Sequence, residues 1–214
     1  MADLTATVEA NLAEVRARIT RAGGDPDAVT LVAVTKEQPD AAVDVALGLG
    51  LKELGENRAD ALIERATANP AARWHYLGQI QRNKIGKVAP HVALWQSVDR
   101  AEVGASIARH SPNAAVLAQV NLTDDPNRGG VAVDDAPALV RDLQGDGLDV
   151  RGLMAVGPLG GPDAAREGFR AVVRVADDLG LAIRSIGMSD DIEVAIKCGS
   201  TMVRVGAALF GARP

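Results

Sequence analysis

The sequence has little of what several protein classes require. Its one cysteine, Cys198, excludes an internal disulfide framework and is typical of a protein from a reducing compartment. No apolar run approaches the ~18 residues of a membrane span, and no signal-peptide pattern opens the chain. We therefore expect a cytoplasmic protein that does not associate with membranes.

Basic and aromatic residues are also scarce. Lys and Arg total 23 against 28 Asp and Glu, a net charge of −5 that argues against a general nucleic-acid binder. No cluster of His, Cys and carboxylates has the spacing of metal ligands, so we expect no metal site. Aromatics make up only 2%, so Val, Leu, Ile and Ala must form the core, as in parallel α/β sheets. We expect one domain over residues 1–214.

The apolar periodicity predicts an N-terminal helix followed by alternating strands and helices. The predicted strands cover residues 30–35, 53–54, 74–77, 93–98, 115–121, 150–156, 181–186 and 201–205. Alternating βα units require a parallel sheet, and this number of units indicates a single (β/α)₈ TIM barrel with an extra N-terminal helix. The alternative is an open doubly wound sheet, although no GxGxxG turn follows the first strand.

Lys36 ends the first predicted strand and shares a face with Val32 and Val34. A lysine there is partly desolvated, which favours the neutral, nucleophilic amine that can form a Schiff base with a carbonyl. The alternative is a lysine that extends from the strand end into water. In a barrel this strand end belongs to the face that carries active sites.

The stretch Gly187–Gly211 contains the second group of candidates. Ser189 can cap a helix, and Gly206 exposes backbone N–H groups where another helix begins. Because barrels often bind phosphate after strands seven and eight, Ser189 and the N–H groups of Gly206 and Ala207 are phosphate candidates. Two ordinary helix starts are the alternative. Arg204 lies on the apolar eighth strand, where it needs either a carboxylate partner or a ligand acceptor.

These motifs together resemble the pyridoxal-phosphate homeostasis protein family, whose members are similar to the N-terminal barrel of alanine racemase without its β-rich second domain. The matching motifs span nearly the whole chain in the family's order: AVTKEQP, GEN at Gly55–Asn57, WHYLGQIQRNK at Trp74–Lys84, QVNLTDD at Gln119–Asp125, RGLMAV at Arg151–Val156, and Gly187–Gly211.

The resemblance implies a role for each matching residue toward pyridoxal 5'-phosphate. Lys36 matches the lysine that forms the internal aldimine, and Arg204 the arginine that faces the pyridine nitrogen. The other implied contacts are the pocket residues Asn57 and His75, Met154 beneath the ring, and the phosphate group's neighbours Ser189, Gly206 and Ala207, with Ser200 and Thr201 beside them.

Four positions depart from the family pattern. Ala207 replaces a common threonine, which removes one hydroxyl donor to the phosphate but keeps the N–H. Asp60 and Ala61 replace a frequent Gln-Glu pair, and Arg128 stands for the usual lysine after strand five. The resemblance therefore implies retained cofactor binding with an affinity that can differ.

A protonated arginine opposite the ring nitrogen makes the cofactor a poor electron sink. We therefore expect a monomeric carrier without strong catalytic activity, which binds pyridoxal phosphate and passes it to apoenzymes or reacts slowly with amino acids. The alternatives are an amino-acid racemase with His75 as second base, a Schiff-base aldolase that uses Lys36 alone, and a barrel that serves as an interaction module.

Overall fold

Short apolar strands run parallel around a closed ring. The computed structural model describes residues 2–123, 125, 128–158 and 162–211. The strands are β1 (Thr30–Val34), β2 (Glu53–Glu56), β3 (Arg73–Tyr76), β4 (Leu94–Val98), β5 (Ala115–Asn121), β6 (Asp149–Val156), β7 (Ile183–Ser185) and β8 (Met202–Val205). Each pairs with the next, and β8 closes onto β1.

Helices connect the strands on the outside of the ring. They are α1 (Ala2–Arg21), α2 (Asp40–Gly48), α3 (Ala59–Ala68), α4 (Ile85–Val88), α5 (Ala101–His110), α6 (Ala136–Gly145), α7 (Pro162–Asp178), α8 (Ile192–Cys198) and α9 (Ala207–Phe210). Short 3₁₀ turns at Arg82–Lys84, Ala89–His91 and Val133–Asp135 adjoin α4 and α6. Within the described ranges, no helix has both the length and the apolar character that crossing a membrane demands.

The closed strand order confirms the predicted barrel and excludes the open sheet. In an open sheet β1 would have an edge or a different neighbour, whereas here Val32 pairs with Arg204 on β8 and Val34 with Gly55 on β2. Because side chains alternate along a strand, Val32 and Arg204 lie side by side inside the barrel. This register places the guanidinium in the barrel beneath the end of β1.

The core has two parts, one outside the strands and one inside. The outer part lies between the strands and the helices and contains most of the buried Val, Leu, Ile and Ala residues. The inner part is small and is formed by Val32, Leu94, Leu117, Met154 and Met202. Side chains therefore fill the barrel, as in other barrels of this type, and leave free space at its mouth.

A row of polar side chains also crosses the barrel interior. Arg204 Nη1 donates to Ser185 Oγ (2.8 Å), and Ser185 Oγ donates to Gln96 Oε1 (2.7 Å). Gln96 Nε2 lies 2.6 Å from His75 Nδ1, and His75 Nε2 lies 2.6 Å from Glu53 Oε2. Because an amide nitrogen only donates, His75 accepts at Nδ1 and carries its proton at Nε2. Each polar group of the row thus has a partner, as burial requires.

Candidate functional site

A cavity of about 420 Å³ opens at the carboxyl ends of the strands. This is the end of the barrel where the sequence predicts the site. Its volume falls in the range of small-molecule and cofactor pockets. Its lining combines aliphatic side chains with a few polar groups: Val34, Lys36, Gln38, Asn57, Leu77, Met154, Val156, Met188, Ser189, Asp190, Arg204, Gly206 and Ala207.

Lys36 is half-buried and lines this cavity directly after β1. Its neighbours Thr35 and Gln38 close a tight turn, in which the Gln38 N–H donates to the Thr35 carbonyl (3.0 Å). The turn redirects the chain into α2, which Pro39 precedes in an extended conformation. The lysine therefore belongs to the barrel mouth and does not extend freely from the strand end into water.

Arg204 is 5% exposed and forms part of the cavity lining. Its Nη1 donates to the Ser185 carbonyl (2.6 Å) as well as to the Ser185 hydroxyl, and its Nη2 donates to the Ala155 carbonyl (2.9 Å). Burial lowers the pKa of Arg204 to about 10, against the opposing effect of Asp191. This pKa is lower than that of an ordinary arginine, yet the guanidinium stays protonated at neutral pH.

The predicted phosphate residues come together at one side of the cavity. Ser189 does not cap α8, which has Asp191 at its N-cap position; instead its Oγ accepts from the Ala208 N–H at the start of α9 (3.1 Å). A serine hydroxyl that accepts from a backbone amide still has its own hydrogen to donate. Gly206 and Ala207 line the same side. Ser189 thus links the two loops that follow β7 and β8.

Asp191 stabilises the loop that carries Ser189. Its Oδ1 accepts from the Met188 N–H (2.6 Å), which fixes the loop that carries Ser189. Burial raises the pKa of Asp191, while the Met188 hydrogen bond and the charge of Arg204 oppose that rise. Asp190, in contrast, is exposed at the cavity. One carboxylate oxygen of Asp191 is thus bound to the backbone of the loop itself.

Asn57 and Met154 lie in the cavity lining as the sequence predicts. Met154 is 2% exposed and belongs to the inner core, so it forms part of the cavity floor. Asn57 follows β2 and is held close to the strand-three loop: a Cβ at Gly78 would lie 2.0 Å from the Asn57 carbonyl oxygen. A glycine is therefore required for the approach of these two loops.

His75 does not line the cavity, which corrects the sequence-based expectation. It is 1% exposed and bonds to Glu53 and Gln96 inside the barrel. Its place on β3 is opposite Gly55, one layer below the mouth, and Leu77, two residues later on the same face, reaches the cavity instead. The alternation of side chains correctly predicts that His75 faces the barrel interior, but it does not predict how far below the mouth His75 lies.

Ser200 and Thr201 are also displaced from the predicted position. Both precede β8, whereas the cavity lies beyond its far end. Ser200 Oγ donates to the Ile186 carbonyl (2.7 Å), and Thr201 Oγ1 accepts from the Arg184 N–H (2.9 Å). These hydroxyls join the β7 and β8 segments and are occupied by backbone partners, so neither belongs to the phosphate side.

Sequence reasoning did not single out several lining residues: Gln38, Leu77, Val156, Met188 and Asp190. Each lies one to three residues from a residue that was predicted, or at the end of a predicted strand. A rule that takes the last residue of every strand and the loop that follows it would have included them. Within the described ranges there is also no group of three or more His, Cys, Asp or Glu residues that could hold a metal ion.

Comparison with known proteins identifies relatives of the whole chain. The family model of the alanine racemase N-terminal domain matches residues 4–214. The pyridoxal phosphate homeostasis protein of Pseudomonas aeruginosa is 40% identical over 221 residues, which cover 97% of this chain and 96% of the relative. The protein of the same name from Deinococcus radiodurans is 38% identical and covers 95% of this chain and 99% of the relative.

A solved structure provides the corresponding spatial match. PipY of Synechococcus elongatus PCC7942, with pyridoxal phosphate bound, superimposes with a TM-score of 0.79 at 30% sequence identity. The match covers 94% of this chain and 100% of PipY. The similarity therefore extends over the barrel and its mouth together.

Proposed function

Because the chain belongs to the family of pyridoxal phosphate homeostasis proteins, we propose that it binds pyridoxal 5'-phosphate in the cavity at the barrel mouth and carries it, with Lys36 as the point of attachment. The observation that carries the proposal is that one cavity is lined by a lysine that follows β1, a buried arginine on the neighbouring strand β8, and Ser189. PipY, with pyridoxal phosphate bound, supports the identity of the ligand.

The cavity suits a planar, phosphorylated aldehyde. Its volume of about 420 Å³ exceeds what so small a ring needs, and Met154, Val34 and Leu77 give it apolar walls. With the cofactor bound, the Lys36 amine would supply the nucleophile that attaches it covalently at its aldehyde carbon with loss of water. Water would reverse this attachment, so the cofactor could be released again.

Arg204 is suited to face the ring nitrogen as a hydrogen-bond donor. Three of its five N–H groups are needed for Ser185 and Ala155, which leaves donors for an acceptor in the cavity. With a pKa of about 10 it holds its proton at neutral pH and does not pass it to a pyridine. A cofactor whose ring nitrogen is not protonated would be a poor electron sink, which favours storage over strong catalysis.

The remaining proposed contacts follow from the lining. The Ser189 hydroxyl and the backbone of Gly206 and Ala207 would hold the phosphate, since N–H and O–H donors suit an anion. Asn57 and Met154 would contact the ring. His75, Ser200 and Thr201 are not part of the proposal.

A carrier role is favoured over racemisation because the cavity lining includes neither His75, the second base of the racemase alternative, nor Tyr76, the only tyrosine of the sequence. Racemisation requires a base on each face of the substrate carbon. Tyr76 is 3% exposed, its ring lies 5.4 Å from that of Trp95, and it is not in the cavity lining. Burial also raises its pKa, which makes it a poor source of a phenolate. We propose that the cofactor passes to apoenzymes or reacts slowly with amino acids.

The test is the visible absorption spectrum of the purified protein, recorded before and after borohydride, once it has been incubated with pyridoxal phosphate and the unbound cofactor has been removed by gel filtration. Wild type should be yellow, and reduction should leave the cofactor covalently on Lys36. Lys36→Ala should stay colourless. Lys52→Ala, which removes an exposed lysine elsewhere, should behave as wild type.

Each rival function predicts a different outcome, either in this experiment or in a separate activity assay. Scrambling of L-alanine or L-serine at enzymatic rates would indicate a racemase. A colourless protein that borohydride traps only with a sugar phosphate would indicate an aldolase, and no binding at all would leave an interaction module.

A further inference from the structure

The backbone that carries Lys36 is strained. Glu37, the residue after it, has φ 60°, and it is one of two non-glycine residues with positive φ in the described part of the chain. Glu37 is the third residue of the turn that the Gln38 N–H and the Thr35 carbonyl close (3.0 Å). Glycine is favoured at this kind of position, because a side chain makes the left-handed conformation unfavourable. Something else must therefore hold the turn.

Arg65 of α3 contacts both ends of this turn. Its Nη1 donates to the Thr35 carbonyl (2.6 Å), and its Nη2 donates to the Gln38 carbonyl. The same guanidinium pairs with Asp40 at the start of α2 (3.2 Å). One planar group thus binds the carbonyl before Lys36 and the carbonyl after Glu37, a geometry that a single ammonium cannot reproduce.

Glu56 fixes the guanidinium from the other side. This carboxylate is 2% exposed; its Oε1 accepts from Arg65 Nη1 and from the Thr35 hydroxyl (2.7 Å). Its Oε2 accepts from the Asn57 N–H (3.3 Å). The ion pair therefore connects the Lys36 turn with Asn57, two separate parts of the cavity wall, although neither Arg65 nor Glu56 lines the cavity.

We propose that Arg65, oriented by Glu56, is a positioning residue that holds the Lys36 turn in its strained form and aims the amine at the cavity. The inference rests on the proposed function, because it assigns a purpose to the direction of that amine. Arg65 does not line the cavity in which the cofactor would bind. A change at Arg65 should therefore alter the formation of the covalent bond but not the non-covalent binding of the ring and the phosphate.

This distinction defines the experiment. Arg65→Lys keeps a positive charge beside Glu56 but cannot bind both carbonyls. The variant is titrated with pyridoxal phosphate and, separately, with pyridoxine 5'-phosphate, in which an alcohol replaces the aldehyde so that no Schiff base can form. We expect the rate and affinity of covalent capture to fall about tenfold or more, since small errors of placement are costly, while the pyridoxine phosphate affinity stays within about twofold of wild type.

A second substitution tests the strained turn. In the Arg65→Lys background, Glu37→Gly should restore most of the covalent capture, because glycine adopts φ 60° without the side-chain penalty. Glu37→Ala is the matched control: it removes the same side chain but keeps the Cβ, and it should not restore capture.

Several results would overturn the inference. The first is covalent capture by Arg65→Lys at the wild-type rate and affinity. The second is an equal loss of affinity for pyridoxal phosphate and for pyridoxine 5'-phosphate in that variant. The third is equal restoration of capture by Glu37→Ala and Glu37→Gly. Failure of the proposed function looks different: wild type itself would then form no borohydride-stable bond at Lys36, and the inference would fall with it.

Discussion

Ala207 offers the sharpest test of the phosphate side of the cavity, because a substitution there can improve binding. It lines the cavity at the first residue of α9, and its side chain is exposed, so a larger residue meets no packed core. Ala207→Thr adds a hydroxyl beside the Ser189 Oγ that already accepts from Ala208. The hydroxyl would be a further donor to a phosphate oxygen.

The expected magnitude follows from the exposure of the position. A hydrogen bond to a charged group contributes about 1.5–3 kcal/mol net, and competition with water at an exposed residue favours the lower limit. We therefore expect a gain of about 1.5 kcal/mol, which lowers the Kd for pyridoxal phosphate about tenfold.

The assay is titration of the cofactor-free protein, with Ala207→Val as the control. Valine has nearly the shape of threonine and a similar helix propensity, so the difference between the two variants isolates the hydroxyl. Pyridoxal without the phosphate should bind both variants equally. The reasoning would be refuted if valine matched threonine, or if threonine improved pyridoxal as much as pyridoxal phosphate.

Two predictions concern stability. Burial would raise the pKa of Glu53, but bonds and charge from His75 and Arg73 outweigh it and lower this pKa below 4.5. Glu53→Gln should thus cost about 1–3 kcal/mol in urea unfolding at pH 7, a loss that shrinks as the pH falls through the lowered pKa. Gly152→Ala would place a Cβ 2.0 Å from the Ile183 carbonyl oxygen and should cost about 3 kcal/mol or more, whereas Gly145→Ala, with open space around its Cβ, should not destabilise the protein.

Much of the fold follows from residue patterns alone. The strand Ala115–Asn121 has the predicted bounds, because its apolar run is continuous and turn residues limit it. The strand Glu53–Glu56 is longer than predicted. Its Gly-Glu end is typical of a turn, and the carboxylate is buried with Arg65, the Thr35 hydroxyl and the Asn57 N–H as partners. An ion pair between separate elements leaves no periodic signal in a sequence.

The sequence correctly predicts site residues that lie at the carboxyl ends of strands, but it does not predict how deep in the barrel a residue lies. Lys36, Arg204 and Ser189 follow from strand ends and loops, which a barrel gathers at one face. Thr201 is close to Arg204 in sequence, yet each strand residue advances ~3.3 Å, so the few residues between them separate two levels of the barrel. His75 shows the same limit. The single domain, the monomeric state and the cytoplasmic location stay predictions.

The polar row that crosses the lumen has a consequence for protein engineering. Thermostabilisation commonly replaces interior polar groups with hydrocarbon, and Gln96 and Ser185 would be obvious choices. Each of them, however, is hydrogen-bonded to both of its neighbours in the row. An aliphatic residue at either position would remove a hydrogen-bond partner of Arg204 or His75. A more heat-resistant version of this barrel should therefore be sought in its outer shell, with the lumen either kept whole or redesigned as one unit.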